Sequence, residues 1–468
     1  MAGVNWEPML IFCYLSLFLI LATALRSKVT FLQKYLIPNS ILAGFFGILF
    51  GQYIFRVIDP NQMGDYVYHL LTLAFIAMGL RGSKVKRSYG TLTTMVIHCQ
   101  TYAVQGILGM AFAIIVIITY FPDLFPAFGL HLVMGFGNNP GVAYSFGLNW
   151  ENMGFIGGAQ VGLTFGALGF IWAYILGMIL INWGVRRNKT AIFKGYDQIP
   201  QSVFRGIVKP GEEKKQAGLL VTAQEAIESL ALQLALVGTV LLIAYLFLSN
   251  FLAFLEGFGA FGENLSALIG GFGYIFGILF ALVVRWIMEK IKVDYIIDHG
   301  LMTRLGGTFI DFMITAAITA ISLEMIRLYW LEIIMLSTLG GLVTLAVVSF
   351  LVNRMQMDYK FERLVSSFGL VTGTVASGLA LLRVLDPHFE TPVAEDLVYA
   401  GGVALFTAIP ILLMANMPAM GYVAGRSIPA SLETIGLVFI YLAALTVFWF
   451  IYRAIFMRRM KAEGKSKL

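Results

Sequence analysis

Charge is what this chain has least of. Asp, Glu, Lys and Arg together make up 12% of its 468 residues, against about 25% in an ordinary soluble domain. With 59% of residues hydrophobic and a mean hydropathy of +0.83, the chain has too little polar surface to cover itself in water. Cysteine is equally scarce. Cys13 and Cys99 both lie inside apolar runs, which excludes a disulfide framework or a cysteine metal site. There is no Walker A loop, no H-E-x-x-H and no C-x-x-C, so neither ATP-driven transport nor a metal or redox enzyme finds a motif here. Gly135-x-Gly137 opens no strand–helix unit and gives no dinucleotide site. Glu7 and the lack of basic residues before the first apolar run argue against a cleaved signal peptide.

What is present is a series of long apolar runs. They fall at 8–25, 37–56, 66–81, 91–118, 155–184, 229–250, 265–285, 305–323, 330–351, 396–417 and 434–453. Most approach the roughly 20 residues needed to cross hydrocarbon as helix, and they are continuous rather than alternating. An all-α membrane protein with eleven spans is expected. The net charge of +6 resides in connecting loops and is expected to report topology rather than nucleic-acid binding.

Arg26, Lys28 and Lys34 follow the first span, and Arg81, Lys84, Lys86 and Arg87 follow the third. Arg186, Arg187, Lys189, Lys194, Arg205, Lys209, Lys214 and Lys215 follow the fifth, and Arg453, Arg458, Arg459, Lys461, Lys465 and Lys467 the last. The alternate loops are poor in Lys and Arg. All the basic loops share the cytoplasmic side only if 126–148 and 361–384, the second flanked by Arg354, Lys360 and Arg363, enter and leave the membrane on one side. Both segments are therefore expected to be re-entrant. The N-terminus is then outside and the C-terminus cytoplasmic, in a bacterial inner membrane.

The two halves repeat. Phe46-Gly47-Ile48-Leu49-Phe50 recurs as Phe276-Gly277-Ile278-Leu279-Phe280. Leu132-Val133, Phe136-Gly137 and Gly141 recur as Leu364-Val365, Phe368-Gly369 and Gly373. The two offsets are nearly equal, which points to duplication. Five spans per half is an odd number, so the second copy is inverted, an architecture that places the transport site near the midplane. The expected domains are 1–185 (first repeat), 186–228 (basic cytoplasmic linker), 229–420 (second repeat) and 421–468 (an extra helix and basic tail).

Chemistry is expected at the two glycine-rich segments. Gly135-Phe136-Gly137-Asn138-Asn139-Pro140-Gly141 and Ser366-Ser367-Phe368-Gly369-Leu370-Val371-Thr372-Gly373-Thr374 should break helices. Broken helices expose amides for an anion, and carbonyls and hydroxyls for a cation. Gly137, Asn138, Asn139, Gly141, Ser145, Thr372, Gly373, Thr374 and Ser377 are the expected substrate contacts, and Ser366 and Ser367 are expected ion ligands. The alternative is that they only satisfy backbone at the breaks. Asp311, a charge inside a span, is an ion-coupling candidate by default; its alternative is a structural pair with Arg304. Arg81 is a snorkelling anchor or an anion contact, and His98 and His131 are expected to be packed. No catalytic residue, metal site or cofactor is expected.

Lys34-Tyr35-Leu36-Ile37-Pro38, Leu73-Ala74-Phe75 with Gly79-Leu80, the 135–141 segment, Thr164-Phe165-Gly166, Leu305-Gly306 and Phe368-Gly369-Leu370 resemble the bacterial sodium:glutamate symporter family, patchily over about residues 20–417. The resemblance implies two inverted five-span repeats with paired re-entrant loops, a homodimer, and Na⁺ as coupling ion for uptake of glutamate or a related anion. It also implies an elevator-like mobile core. Two other classes remain open from the residues: a proton-coupled exchanger or ion channel using Asp311, and a membrane enzyme acting on lipid or quinone.

Overall fold

The computed structural model describes residues 6–34, 37–81, 89–192, 202, 205–212, 216–259, 262, 266, 269–270, 273–386 and 390–462. Lys84, Lys86, Arg87, Lys194, Lys214, Lys215, Lys465 and Lys467, residues 35–36 and parts of the seventh expected span lie outside them. The chain is 81% helix and has no strand among the described residues.

In chain order the helices are α1 (Glu7–Lys28), α2 (Thr30–Lys34), α3 (Asn39–Phe46, continued as a π-helix over Gly47–Ile54), α4 (Met63–Arg81) and α5 (Tyr89–Thr119). A 3₁₀ turn (Pro126–Leu130) and a π-helical turn (Leu132–Asn138) lead into α6 (Pro140–Glu151) and α7 (Gly158–Arg186). After the basic loop come α8 (Ser229–Glu256), α9 (Gly273–Lys290), α10 (His299–Thr319), α11 (Leu323–Met355), α12 (Lys360–Val371), α13 (Val375–Leu385), α14 (Val393–Thr407), α15 (Ile409–Met414), α16 (Met417–Val423) and α17 (Ser427–Ala462).

Eight of these are long and apolar enough to cross a membrane among the described residues: α1, α4, α5, α7, α8, α10, α11 and α17. They carry large apolar side chains on open faces, such as Leu242, Tyr245 and Phe254 of α8 and Phe439, Ile440 and Phe450 of α17, each more than half exposed. Such surface is stable only against lipid or another apolar partner. This is a multi-pass membrane protein.

Three expected spans differ. The second is a short α-helix that loosens into a π-helix at Gly47. The seventh, where described, carries Arg285, Glu289 and Lys290 in its last turns. The tenth is broken into α14 and α15, with Pro410 at the start of the second, because proline removes an amide and clashes with the preceding turn.

The chain forms two compact units. The first contains Met1–Lys84, Tyr144–Asn149 and Gln201–Ser322; the second contains Val85–Ala143, Trp150–Pro200 and Leu323–Leu468. In the first unit, Ile76, Ala77, Leu80, Val237, Val240, Ala281, Met288 and Met302 bury one core between α4, α8, α9 and α10. Close approach depends on missing side chains. A Cβ on Gly79 would lie 2.7 Å from that of Ala281, and one on Gly47 would overlap the Thr319 side chain. Asp298 caps α10 by accepting from the Leu301 amide at 2.6 Å.

The second unit is built on α5 and α7. On one face of α7 stand Gly162, Gly166, Gly169, Gly177 and Gly184, and a Cβ at each would meet a neighbour within 2.7 Å. The amides at the start of α7 find a partner in Glu151, whose Oε1 accepts from Ala159 N at 3.0 Å, since Gly157 at the N-cap has no side chain to do so. Burial pushes the Glu151 carboxyl above the usual range, and the Ala159 amide pulls partly against that shift. Arg363 corrects its expected role as a loop charge. It lies within α12, is 2% exposed, and pairs with Asp396 of α14 at 2.8 Å and Asp358 at 3.0 Å.

Candidate functional site

Each glycine-rich segment is interrupted over a shorter stretch than expected: the first at Asn139, after a π-helical turn that runs through Gly135 and Gly137, and the second at Thr372–Thr374, with Ser366–Leu370 still inside α12; in both the chain doubles back. Their register along α7 shows it for the first. Gly162 faces His131 and Ala143, Gly166 faces Pro140, Gly135 faces Phe165 and Gly166, and Gly169 faces Phe136. The chain therefore descends along α7 from His131 to Phe136 and climbs back from Pro140 to Ala143. For the second, a Cβ on Gly369 of α12 would lie 2.9 Å from the Gly378 Cα of α13, and one on Gly378 would lie 2.5 Å from the Ser366 carbonyl oxygen. Helices α12 and α13 are a tight hairpin that turns at Thr372–Thr374.

The two tips converge on α5 and α7. The Gln105 side-chain amide of α5 donates to the Val371 carbonyl at 2.9 Å and to Thr344 Oγ1 at 3.0 Å. At the other tip, a Cβ on Gly137 would lie 2.6 Å from Gln105 Oε1 and 2.8 Å from the Tyr102 ring. Across from Gln105, a Cβ on Gly169 would stand 2.4 Å from the Thr372 carbonyl oxygen and 3.1 Å from Phe136. Phe170 in turn lies against Gly373.

Three oxygens here are buried with no partner: Gln105 Oε1, Thr374 Oγ1 and Ser377 Oγ. A fourth, Ser367 Oγ, lies further up α12. Burying a hydroxyl or amide oxygen unpaired costs about 1–3 kcal/mol, which makes these oxygens at the helix breaks the candidate site. The tips also differ in what they leave open. Asn139 Oδ1 caps α6 by accepting from Val142 N at 3.0 Å. Thr374 stands at the N-cap of α13 without a side-chain cap bond, so the first amides of α13 have no side-chain acceptor there.

The other expected residues sort as follows. Asn138 turns inward on its own segment, donating to the Val133 carbonyl at 3.1 Å. Thr372 bonds the Phe368 carbonyl at 2.6 Å, and Ser366 the Arg363 carbonyl at 3.3 Å. These three satisfy local backbone. Gly141 lies in the first turn of α6. Ser145 falls in the first unit. Asp311 also belongs to the first unit, where it is exposed on α10. Its carbonyl accepts from Thr315 at 2.8 Å, and it makes no ion pair with Arg304 among the described residues. His98 and His131 are fully buried. Arg81 ends α4, with Nη1 3.5 Å from Thr303 Oγ1. Gln105 and Gly169 were not expected. The only sequence signal for Gln105 was a polar residue in an apolar run, which several neighbours share.

Comparison of the chain with family models, with curated proteins and with solved structures finds no match.

Proposed function

We propose that this chain is a sodium-coupled secondary transporter that takes up glutamate or a related acidic amino acid or carboxylate by alternating access. The observation that carries the reading is the convergence of two doubled-back helix breaks on Gln105 and Gly169, with three unpaired oxygens buried among them. The uncapped start of α13 offers amides and a positive dipole end to a carboxylate. Gln105 Oε1, Thr374 Oγ1 and Ser377 Oγ are hard oxygen donors of the kind that, with unwound carbonyls, hold Na⁺ in broken-helix transporters. The segments are re-entrant in this reading, the first from outside and the second from the cytoplasm, in two inverted five-span repeats.

The division into units supports the elevator form. Each unit takes elements from both halves of the chain, and the break falls after Lys84 in one half and after Ser322 in the other, a spacing close to the repeat offset. The tip-bearing unit is the mobile core, and the first unit is the scaffold and homodimer contact. The protein sits in a bacterial inner membrane with its N-terminus outside and C-terminus cytoplasmic. Asp311, the only acidic residue within α10, favours a second reading as a proton-coupled exchanger or channel.

Uptake of labelled glutamate, aspartate and dicarboxylates into proteoliposomes is the test, with and without an inward Na⁺ gradient. Gradient-driven accumulation is expected. Uptake that follows a proton gradient and is lost in Asp311→Asn would select the second reading, and no carboxylate flux under any gradient would sink both.

A further inference from the structure

Running from Gln105 at the tip site, one face of α5 carries four further polar groups that the tip site does not use. Thr91, Thr94, His98, Thr101 and Gln105 recur at steps of three, four, three and four residues and so share one face of the helix. None is more than 2% exposed. Thr91 bonds Asp396 at 2.5 Å, Thr94 accepts from the Gln356 amide at 2.8 Å, and Gln105 reaches the second tip. The stripe spans fifteen residues, fourteen steps of 1.5 Å or roughly 21 Å, with His98 at its midpoint.

Polar side chains that bond across helices act as glue in a membrane bundle. That accounts for Thr91, Thr94 and the Gln105 amide. It does not account for His98, neither of whose ring nitrogens has a partner, nor for the unpaired oxygens of Gln356 and Gln105. An ionisable side chain inside a membrane span, as His98 is, marks a solute or proton pathway by default. The stripe ends at the Arg363–Asp396 pair, which is almost fully buried. Gly90 leaves room for that pair: a Cβ there would lie 2.2 Å from Asp396 Oδ2 and 2.6 Å from Arg363 Nη2. Arg363 Nη1 has no partner.

We propose that this face of α5 lines the passage between the tip site and the aqueous phase at the Arg363–Asp396 end, and that the ion pair is its gate. The solute that uses the passage rests on the transport reading; the passage itself does not.

The test is thiol accessibility in full-length protein lacking native cysteines (Cys13→Ser, Cys99→Ser). Thr94→Cys, His98→Cys and Thr101→Cys probe the stripe. Val96→Cys and Ala103→Cys, on the opposite side of α5 and buried to 1% or less, are the controls. In inside-out vesicles, a membrane-impermeant cationic thiosulfonate is expected to label the stripe at least tenfold faster than the controls, and faster again with Asp396→Asn. Equal rates on both faces, or no labelling of the stripe, would overturn the passage. Where Asp396→Asn does not yield folded protein, Asp396→Glu serves, and the face contrast alone decides. Stripe labelling in a protein that accumulates no carboxylate would keep the passage and discard the solute assignment.

Discussion

Gln105 turns the two ends of its side chain to different tips: its amide nitrogen holds the Val371 carbonyl at 2.9 Å, while its carbonyl oxygen, beside Gly137, is left unpaired. One residue on α5 thus ties the second tip in place and faces the first. Gln105→Glu keeps the shape and the acceptor but loses the donor and adds charge. Gln105→Leu removes both. Uptake is expected to fall at least tenfold in each, and the Na⁺ concentration for half-maximal uptake is expected to separate them. An anionic oxygen strengthens cation binding and lowers that concentration in Gln105→Glu, where protein folds.

Thr374 and Ser377 hold hydroxyls that make no internal bond. Removing them therefore leaves no orphaned partner, and Thr374→Ala and Ser377→Ala are expected to unfold within about 2 °C of wild type. A hydroxyl lost from a charged ligand costs about 1.5–3 kcal/mol, roughly ten-fold or more in half-saturation for Na⁺. The contrast between unchanged melting and shifted Na⁺ dependence, read by thermal shift and by uptake, is the check.

Gly169→Ala places a methyl 2.4 Å from the Thr372 carbonyl oxygen, a backbone atom that cannot rotate away. A loss of about 1–3 kcal/mol of stability is expected from overpacking, together with loss of uptake. Gly436→Ala on α17 has open space around it and is expected to be neutral or mildly stabilising, since glycine is a poor helix former. Melting of the two purified variants in detergent compares them directly.

Glu151 is held above the usual carboxylate range mainly by burial. Its folded protonated form is thus favoured relative to the unfolded chain. That contribution is complete below the ordinary glutamate value near 4.5 and is lost as pH rises through the raised value. Melting temperature is expected to decline over that interval and then level, and Glu151→Gln is expected to flatten this part of the profile. A profile identical to wild type would remove Glu151 from the account.

Asp396→Asn leaves Arg363 buried with only the half-exposed Asp358 as a charged partner. Breaking a buried pair costs about 3–5 kcal/mol, whereas replacing both partners by apolar residues is often close to neutral. The double variant Arg363→Met, Asp396→Leu is therefore expected to recover most of the melting temperature lost in the single one.

The breaks at Asn138-Asn139-Pro140 and Thr372-Gly373-Thr374 were legible in the sequence because glycine and proline act locally on the backbone. The partners at the tips were not. Whether Gln105 or Gln100 faces the breaks depends on the azimuth of α5, and Gln100 instead bonds Thr446 of α17. Arg363 sits among basic residues that suggest a loop, and its burial depends on Asp396, 33 residues on, lying opposite it. The tenth span read as one run because its apolar composition continues across Pro410, whose effect is on geometry alone. Asn138, Thr372 and Ser366 have the composition of ligands, yet each is engaged with its own segment's backbone.

The glycines along α7 also say how this protein tolerates variation. At Gly162, Gly166 and Gly169 the facing atoms are largely backbone or proline, whereas at Gly177 and Gly184 they are the side chains of Leu381 and Phe361. A saturation library selected for folded protein should thus retain nothing larger than alanine at the first three positions. At the last two it should regain members only when a smaller residue arises at 381 or 361. Those paired rescues would map the face of α7 onto its neighbours by genetics alone.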